Sequence, residues 1–187
     1  MRRYGALAVP PNLVESVLAC ALSAPSPHNR QPVRLALIQS FVARARLVEA
    51  MGEQLRTDRL RDGDPAEAIQ EDVERSGRRL LGAPLLLLVA LSLEDMDRYP
   101  DGARREAEYM MAVQASAMAG QNIALAAHAA GLASCWLCAP LFCPDVASTA
   151  LGLPQNWRPQ GLMTIGYGSG PARFRPRKGL PDILLRL

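Results

Sequence analysis

Nine residues near the N-terminus, Ala24-Pro25-Ser26-Pro27-His28-Asn29-Arg30-Gln31-Pro32, set a hydroxyl, an imidazole, two amides and a guanidinium among three prolines. Proline fixes φ and withholds its N–H, so the segment reads as an ordered polar loop. Ser26 stands between two prolines, which stiffens its backbone and aims its hydroxyl. Asn29 and Gln31 can each donate and accept hydrogen bonds. Such an inventory suits holding a polar organic molecule. A loop imidazole such as His28 could pass a proton, though it more often bonds backbone. A second cluster, Trp136-Leu137-Cys138-Ala139, follows Ser134-Cys135. The Cys135-x-x-Cys138 spacing is that of a dithiol or half a zinc site, but no second pair accompanies it and a tryptophan lies inside it, so no metal is expected. Arg2 and Arg3 at one end, and Arg175 and Arg177 at the other, are cations of the kind that hold phosphate or carboxylate. In an extended chain, alternation puts Arg175 and Arg177 on one side. Asp58 falls near the end of a helical pattern. No Ser-His-Asp set or carboxylate pair is present. Gly166-x-Gly168-x-Gly170 opens a proline-rich tail instead of a helix, so it is not a dinucleotide fingerprint.

The elements that must position these residues follow from pattern. Asn12 and Glu15 have capping-box spacing and open an apolar helix to about Ser23. Val33 to Gln39 alternates as a strand. Ser40 caps a helix to about Leu60, with Arg44, Arg46, Glu49, Glu53 and Arg56 on its wet faces. Asp62-Gly63 breaks it, and Asp64-Pro65-Ala66-Glu67 begins another, which ends at Gly82-Ala83-Pro84. Leu85 to Leu91 has no polar interruption and predicts a strand buried on both faces. Ser92 to Gly102 is a loop. Arg104 to Ala130 is the longest helical pattern, apolar nearly all round and therefore expected to be buried, with Gly131 as its C-terminal stop. Ser134 to Ala139 predicts a strand, Pro144 to Leu151 a helix stopped by Gly152, and Gly161 to Tyr167 a strand. The tail, about 168–187, has too few core positions to fold alone and is expected to wrap over a second subunit. The fold class is α+β: a central antiparallel or mixed sheet of four or five strands flanked by helices, with one long buried central helix.

The chain has 187 residues and is expected to be a single domain over 1–187. Hydrophobic residues make up 49% of it, enough for a core. A formal net charge of +3, scattered along the chain, argues against nucleic acid. The longest strongly apolar run is too short to span a bilayer, and the N-terminus has no signal-peptide pattern, so a cytoplasmic protein with reduced cysteines is expected.

Four stretches, in order, resemble the nitroreductase superfamily. They are the Ala24–Pro32 loop; Gln121-Asn122 with Ala126-Ala127-His128 and Gly131 to Pro144; Leu151-Gly152-Leu153-Pro154 with Trp157-Arg158-Pro159-Gln160-Gly161 and Ile165-Gly166-Tyr167; and Arg175-Pro176-Arg177. The wording Ser134-Cys135-Trp136 followed by Ala139-Pro140-Leu141-Phe142-Cys143-Pro144 is most similar to the flavoprotein domain attached to the coenzyme F420 glutamyl ligase (F420 names a deazaflavin). The resemblance implies an intertwined homodimer with an FMN site at each subunit interface. Arg2 and Arg3 match the end of the family's N-terminal arginine motif for the FMN phosphate, and Arg175 and Arg177 the cations near its phosphate or pyrimidine oxygen. Ser26, Asn29 and Gln31 would line the ribityl and ring edge. Trp136, Leu137, Cys138 and Ala139 would lie along the reactive edge, with Cys138 where relatives carry glycine. Asp58 and His28 would meet substrate. The expected activity is reduction of dehydro-F420-0 to F420-0, with hydride from FMN and no catalytic side chain. The alternatives are a general NAD(P)H-dependent nitroreductase or ene-reductase, and a flavin- or F420-binding protein without turnover.

Overall fold

The structure is a computed structural model in which residues 3–170 and 175–186 are described. Among the described residues four strands form one antiparallel sheet in the order β1-β2-β4-β3, with β1 Val33–Leu37, β2 Leu85–Leu91, β3 Ala133–Leu137 and β4 Arg158–Gly166. β2 runs where its uninterrupted apolar stretch predicts. Its residues Leu86 to Leu91 are fully buried, because helices cover both faces of the sheet. On one face α1 (Pro11–Ala19) and α4 (Gly102–Ala129) pack on Leu87, Val89, Met163 and Ile165. On the other, α2 (Phe41–Arg61), α3 (Ala66–Leu81) and α5 (Pro144–Leu151) pack around Leu86, Leu88, Ala90 and Leu162. Among the described residues no helix is long and apolar enough to cross a membrane.

Several local expectations are corrected. The Asn12/Glu15 capping box does not form. Pro11 opens α1, where its missing N–H costs nothing, and Asn12 is already inside, its carbonyl accepting from Ser16. Asp64 does not cap α3 because Arg59 Nε takes its carboxylate at 2.6 Å. Ser40 does cap α2, its hydroxyl accepting from the Ala43 amide. Arg44 is buried, not on a wet face. Its guanidinium donates to the carbonyls of Ile38, Ala83 and Pro84, where β1 ends and β2 begins and no strand uses them. A rigid fork of five donors suits that task. β3 stops at Leu137, and a 3-10 turn over Ala139–Phe142 follows with Pro140 inside it. β4 starts three residues earlier than its apolar run. Pro159 is tolerated because the register shifts between Val89 and Ala90, leaving Gln160 as the extra residue of a bulge.

The long helix is also not buried all round. Ala112, Ala115, Ala119, Ile123 and Ala127 face the sheet, while Met110, Met118 and Leu125 are exposed. Alanine hides the difference between its faces in the sequence, because both are apolar.

Candidate functional site

The proline-framed loop folds as a tight 3-10 turn over Pro27–Asn29, and three of its non-glycine residues take left-handed backbone: His28 (φ 47°), Asn29 (φ 55°) and Gln31 (φ 49°). Each such residue costs on the order of 1–3 kcal/mol and persists only when its surroundings hold it. Here the Ser26 hydroxyl accepts from the Gln31 amide at 3.0 Å, and the Gln31 side chain donates to Asn29 Oδ1 at 3.1 Å. Arg34 Nη1 donates to the Gln31 carbonyl, and its Nη2 pairs with Asp95 at 3.2 Å. Arg30 pairs with Asp97. The loop is thus clamped to the segment that follows β2. His28, Asn29 and Gln31 still expose their side chains. Sequence reasoning missed Arg34, Asp95 and Asp97. Nothing in an acidic loop signals which distant guanidinium it will meet.

Trp136 fits a slot built for it. Its indole lies between α4 and β4, and a Cβ placed on Gly120 or on Gly161 would come within 2.4 Å of the ring. Its Nε1–H donates to Cys138 Sγ at 3.2 Å, so the Cys138 thiol points at the indole. Cys135 is the strand neighbour of Trp136 and faces the other side of the sheet. Its Sγ bonds the Trp136 carbonyl, and the two cysteines do not form a dithiol arrangement. Among the described residues no group of three or more His, Cys, Asp or Glu could hold a metal. The lone mid-helix Gly120 was the available sequence signal for the slot.

Behind Ala139–Phe142 lies a cavity of about 240 Å³ between α2, α3 and that turn. Its walls include Met51, Leu55, Val73, Leu80 and Phe142, and Asp58 and Asp62 stand at its rim. Ala139 and Asp58, given separate roles from sequence, therefore border one space. Asp58 accepts from the Gln54 amide at 2.9 Å and has Arg61 at 3.7 Å. Burial, and secondarily the Asp58 charge, push the Cys143 thiol pKa up. Phe142 and Cys143 entered the sequence reading only as part of the Ala139–Pro144 wording and were given no site role.

The cationic candidates lie elsewhere. The Arg3 carbonyl accepts from the Ser169 amide, and Tyr4 bridges Gly168, so the N-terminal segment pairs with the root of the C-terminal tail. Tyr4 anchors this pairing: its hydroxyl bonds Thr164 Oγ1 at 2.7 Å, and burial pushes its pKa up to about 12. Arg175 and Arg177 are exposed and lie outside any helix or strand, and Arg2 lies outside the described residues. Val33 pairs with Leu91, which pairs with Arg158, so the loop before β1 sits at the start of β4 while Arg3 sits past its end. At ~3.4 Å per residue these places are about 30 Å apart. The β1 and β3 edges are separated by three spacings, about 14 Å. One chain does not bring its candidate residues to a single point.

The profile of the Nitroreductase family matches residues 1–167. Among solved structures the chain is similar to a protein from Desulfovibrio desulfuricans, described as a nitroreductase and solved in complex with FMN: 26% identity, 100% of this chain and 90% of that one, TM-score 0.71. It is similar to a BluB-like flavoprotein from Clostridium difficile at 17% identity, over 100% and 93% of the two chains, TM-score 0.79. It is also similar to the NADPH:FMN oxidoreductase of Vibrio harveyi complexed with NAD+, at 16% identity, over 100% and 72%, TM-score 0.74.

Proposed function

The chain belongs to the nitroreductase family, and on that premise we propose that it is an FMN-dependent oxidoreductase working as a homodimer in the cytoplasm. The observation that carries the cofactor assignment is the clamped loop. Three strained residues with exposed polar side chains are what a preformed ligand wall looks like, since strain is retained where function uses it. The residues present fit FMN. Ser26, Asn29 and Gln31 offer hydrogen bonds for a polar edge; Ala139 and Phe142 offer an apolar wall; Arg3, Arg175 and Arg177, with Arg2, offer cations for a phosphate. When bound, FMN supplies hydride transfer, which no side chain here provides. The chain's part is to bind and orient. At the start of the Ala139–Phe142 turn Pro140 has no N–H and the Leu141 amide donates to the Cys138 carbonyl, so the Ala139 amide is the one suited to steady negative charge on the adjoining edge.

The dimer is supported by what one chain leaves open. α4 exposes Met110, Met118 and Leu125, and the tail exposes Leu180, Ile183 and Leu185. Because the loop, the turn and the arginines stand far apart in one chain, a second copy is the natural source of the missing wall, with the tail over 168–187 reaching across.

For the acceptor, the cavity favours a general NAD(P)H-dependent reductase of small aromatic or unsaturated molecules, because it is apolar and of one-ring size. A second reading, reduction of dehydro-F420-0, is favoured by the Ser134-Cys135-Trp136 and Ala139–Pro144 wording, with Asp58 and His28 toward substrate. The test begins with the visible spectrum of the purified protein. We expect a yellow protein with about one FMN per chain. A colourless protein that takes up no FMN overturns the assignment. Anaerobic turnover then separates the readings: conversion of small quinones or nitroaromatics without the saturated deazaflavin precursor supports the first, and the reverse supports the second.

A further inference from the structure

The cavity between α2, α3 and the Ala139–Phe142 turn carries two carboxylates, Asp58 and Asp62, with Arg59 also in its lining. Two arginines sit on the same stretch of helix. Arg59 is consumed: it donates to Asp64 and to Asp72. Arg61 reaches Asp58 only at 3.7 Å, and its side chain is 72% exposed. Arg75, across on α3, pairs with Asp72. Asp62 has no ion-pair partner within 4.0 Å among the described residues. Both rim carboxylates also stand at the C-terminal end of α2, where the helix dipole is negative and an acid is disfavoured. Two carboxylates kept at the wrong end of a helix, at the mouth of an apolar space, are a cost that a bound cation would relieve. Cys143, deeper in the cavity wall, has its thiol pKa raised first by burial and second by the Asp58 charge.

We propose that this cavity is the acceptor subsite and that Asp58 and Asp62 make it select aromatic molecules bearing a cationic group, an amine or amidinium, over the same skeleton bearing a carboxylate. The inference rests on the reading of the chain as a small-acceptor reductase. The apolar walls take the ring, and the rim takes the charge. An aromatic ring fits, since apolar cavities of about 150 Å³ already admit benzene, and this one is about 240 Å³.

The experiment uses the FMN-loaded protein and three molecules of one shape: benzamidine, benzamide and benzoate. Calorimetry gives the three affinities, and steady-state inhibition of quinone or nitroaromatic reduction gives the mode. The expected order is benzamidine, then benzamide, then benzoate. About tenfold should separate the first from the last, as for partly solvated charges. Benzamidine should compete with the acceptor, raising its KM and leaving kcat unchanged. The double variant Asp58→Asn with Asp62→Asn should bring benzamidine down to the level of benzamide, with benzamide and FMN content unmoved. Ser76→Phe, which fills the cavity from α3 without touching its charge, should abolish binding of all three. Benzoate binding as well as benzamidine, a preference surviving the double variant, or benzamidine binding without competition each overturns the proposal. Failure of the underlying reading shows separately, as absence of FMN or of any turnover.

Discussion

Gly120→Ala is a substitution whose sign the structure fixes against the usual rule. In a helix interior, alanine is ordinarily favoured over glycine by about 0.8–1.0 kcal/mol. At Gly120 the new Cβ would stand 2.4 Å from Trp136 Cζ3 and 3.0 Å from Cε3, whereas carbon atoms rest at about 3.5–4.0 Å. The ring would have to retreat by roughly 1 Å. It cannot, because its other side is held by Gly161, whose own Cβ would lie 2.4 Å from Cζ2 and 2.6 Å from Cε2. Overpacking of this kind costs about 1–3 kcal/mol, here toward the upper end. Subtracting the helix gain leaves a net loss of about 1–2 kcal/mol. In a Trp136→Leu background the clash is gone and the same substitution should stabilise by about 1 kcal/mol. The cycle therefore predicts a coupling of about 2–3 kcal/mol, read from urea unfolding midpoints at constant m. Stabilisation by Gly120→Ala in the parent chain, or a coupling below about 0.5 kcal/mol, would refute the slot.

Three further outcomes follow from the same structure. Asp97→Asn removes the carboxylate that holds Arg30. The pair is largely exposed, so stability should fall by less than about 1 kcal/mol, while FMN dissociation, followed by recovery of flavin fluorescence on dilution, should rise about tenfold as the strained loop relaxes; an unchanged affinity would remove the loop from the site. Tyr4 loses its proton later in the folded chain than in the unfolded one, since its pKa rises from 10.0 to about 12. Its contribution is therefore full below the lower value and is lost as pH climbs toward the upper one. Tyr4 is only part-buried, which limits the term to about 1 kcal/mol, and Tyr4→Phe should flatten that part of the alkaline stability curve. Leu125→Glu charges the exposed face of α4 and should halve the mass in sedimentation while the far-UV circular dichroism stays unchanged; retention of the larger mass would move the interface elsewhere.

What could be read in advance depended on how local the cause was. β2 was legible to the residue because seven apolar side chains leave no alternative partner for either face. The loop before β1 was legible as stiff and polar from its prolines, but its left-handed backbone was not, since His28, Asn29 and Gln31 carry no glycine signal. The clamp by Asp95 and Asp97 joins residues more than sixty positions apart, and only the antiparallel pairing of β1 with β2 sets them side by side. Arg44 was misplaced because helical spacing tells which side a residue faces, not that unpaired carbonyls of Ile38, Ala83 and Pro84 wait there. The capping patterns at Asn12 and Asp64 failed to nearby competitors, a proline in one case and Arg59 in the other.

The strand order has a consequence for how the molecule is made. β4 is inserted between β2 and β3, and Leu85 meets Ile165 eighty positions later. While the chain grows, β2 has β1 on one edge, but its other edge is without a partner until the last strand is synthesised. A row of apolar residues with open backbone donors and acceptors is an invitation to pair with another chain. Closure over so long a separation is also intrinsically slow. α4, finished just before β3, covers one face of that unfinished sheet during the wait. Chains released before residue 158 would be aggregation-prone rather than partly active, and the yield of this protein should depend on the time between completing α4 and completing β4.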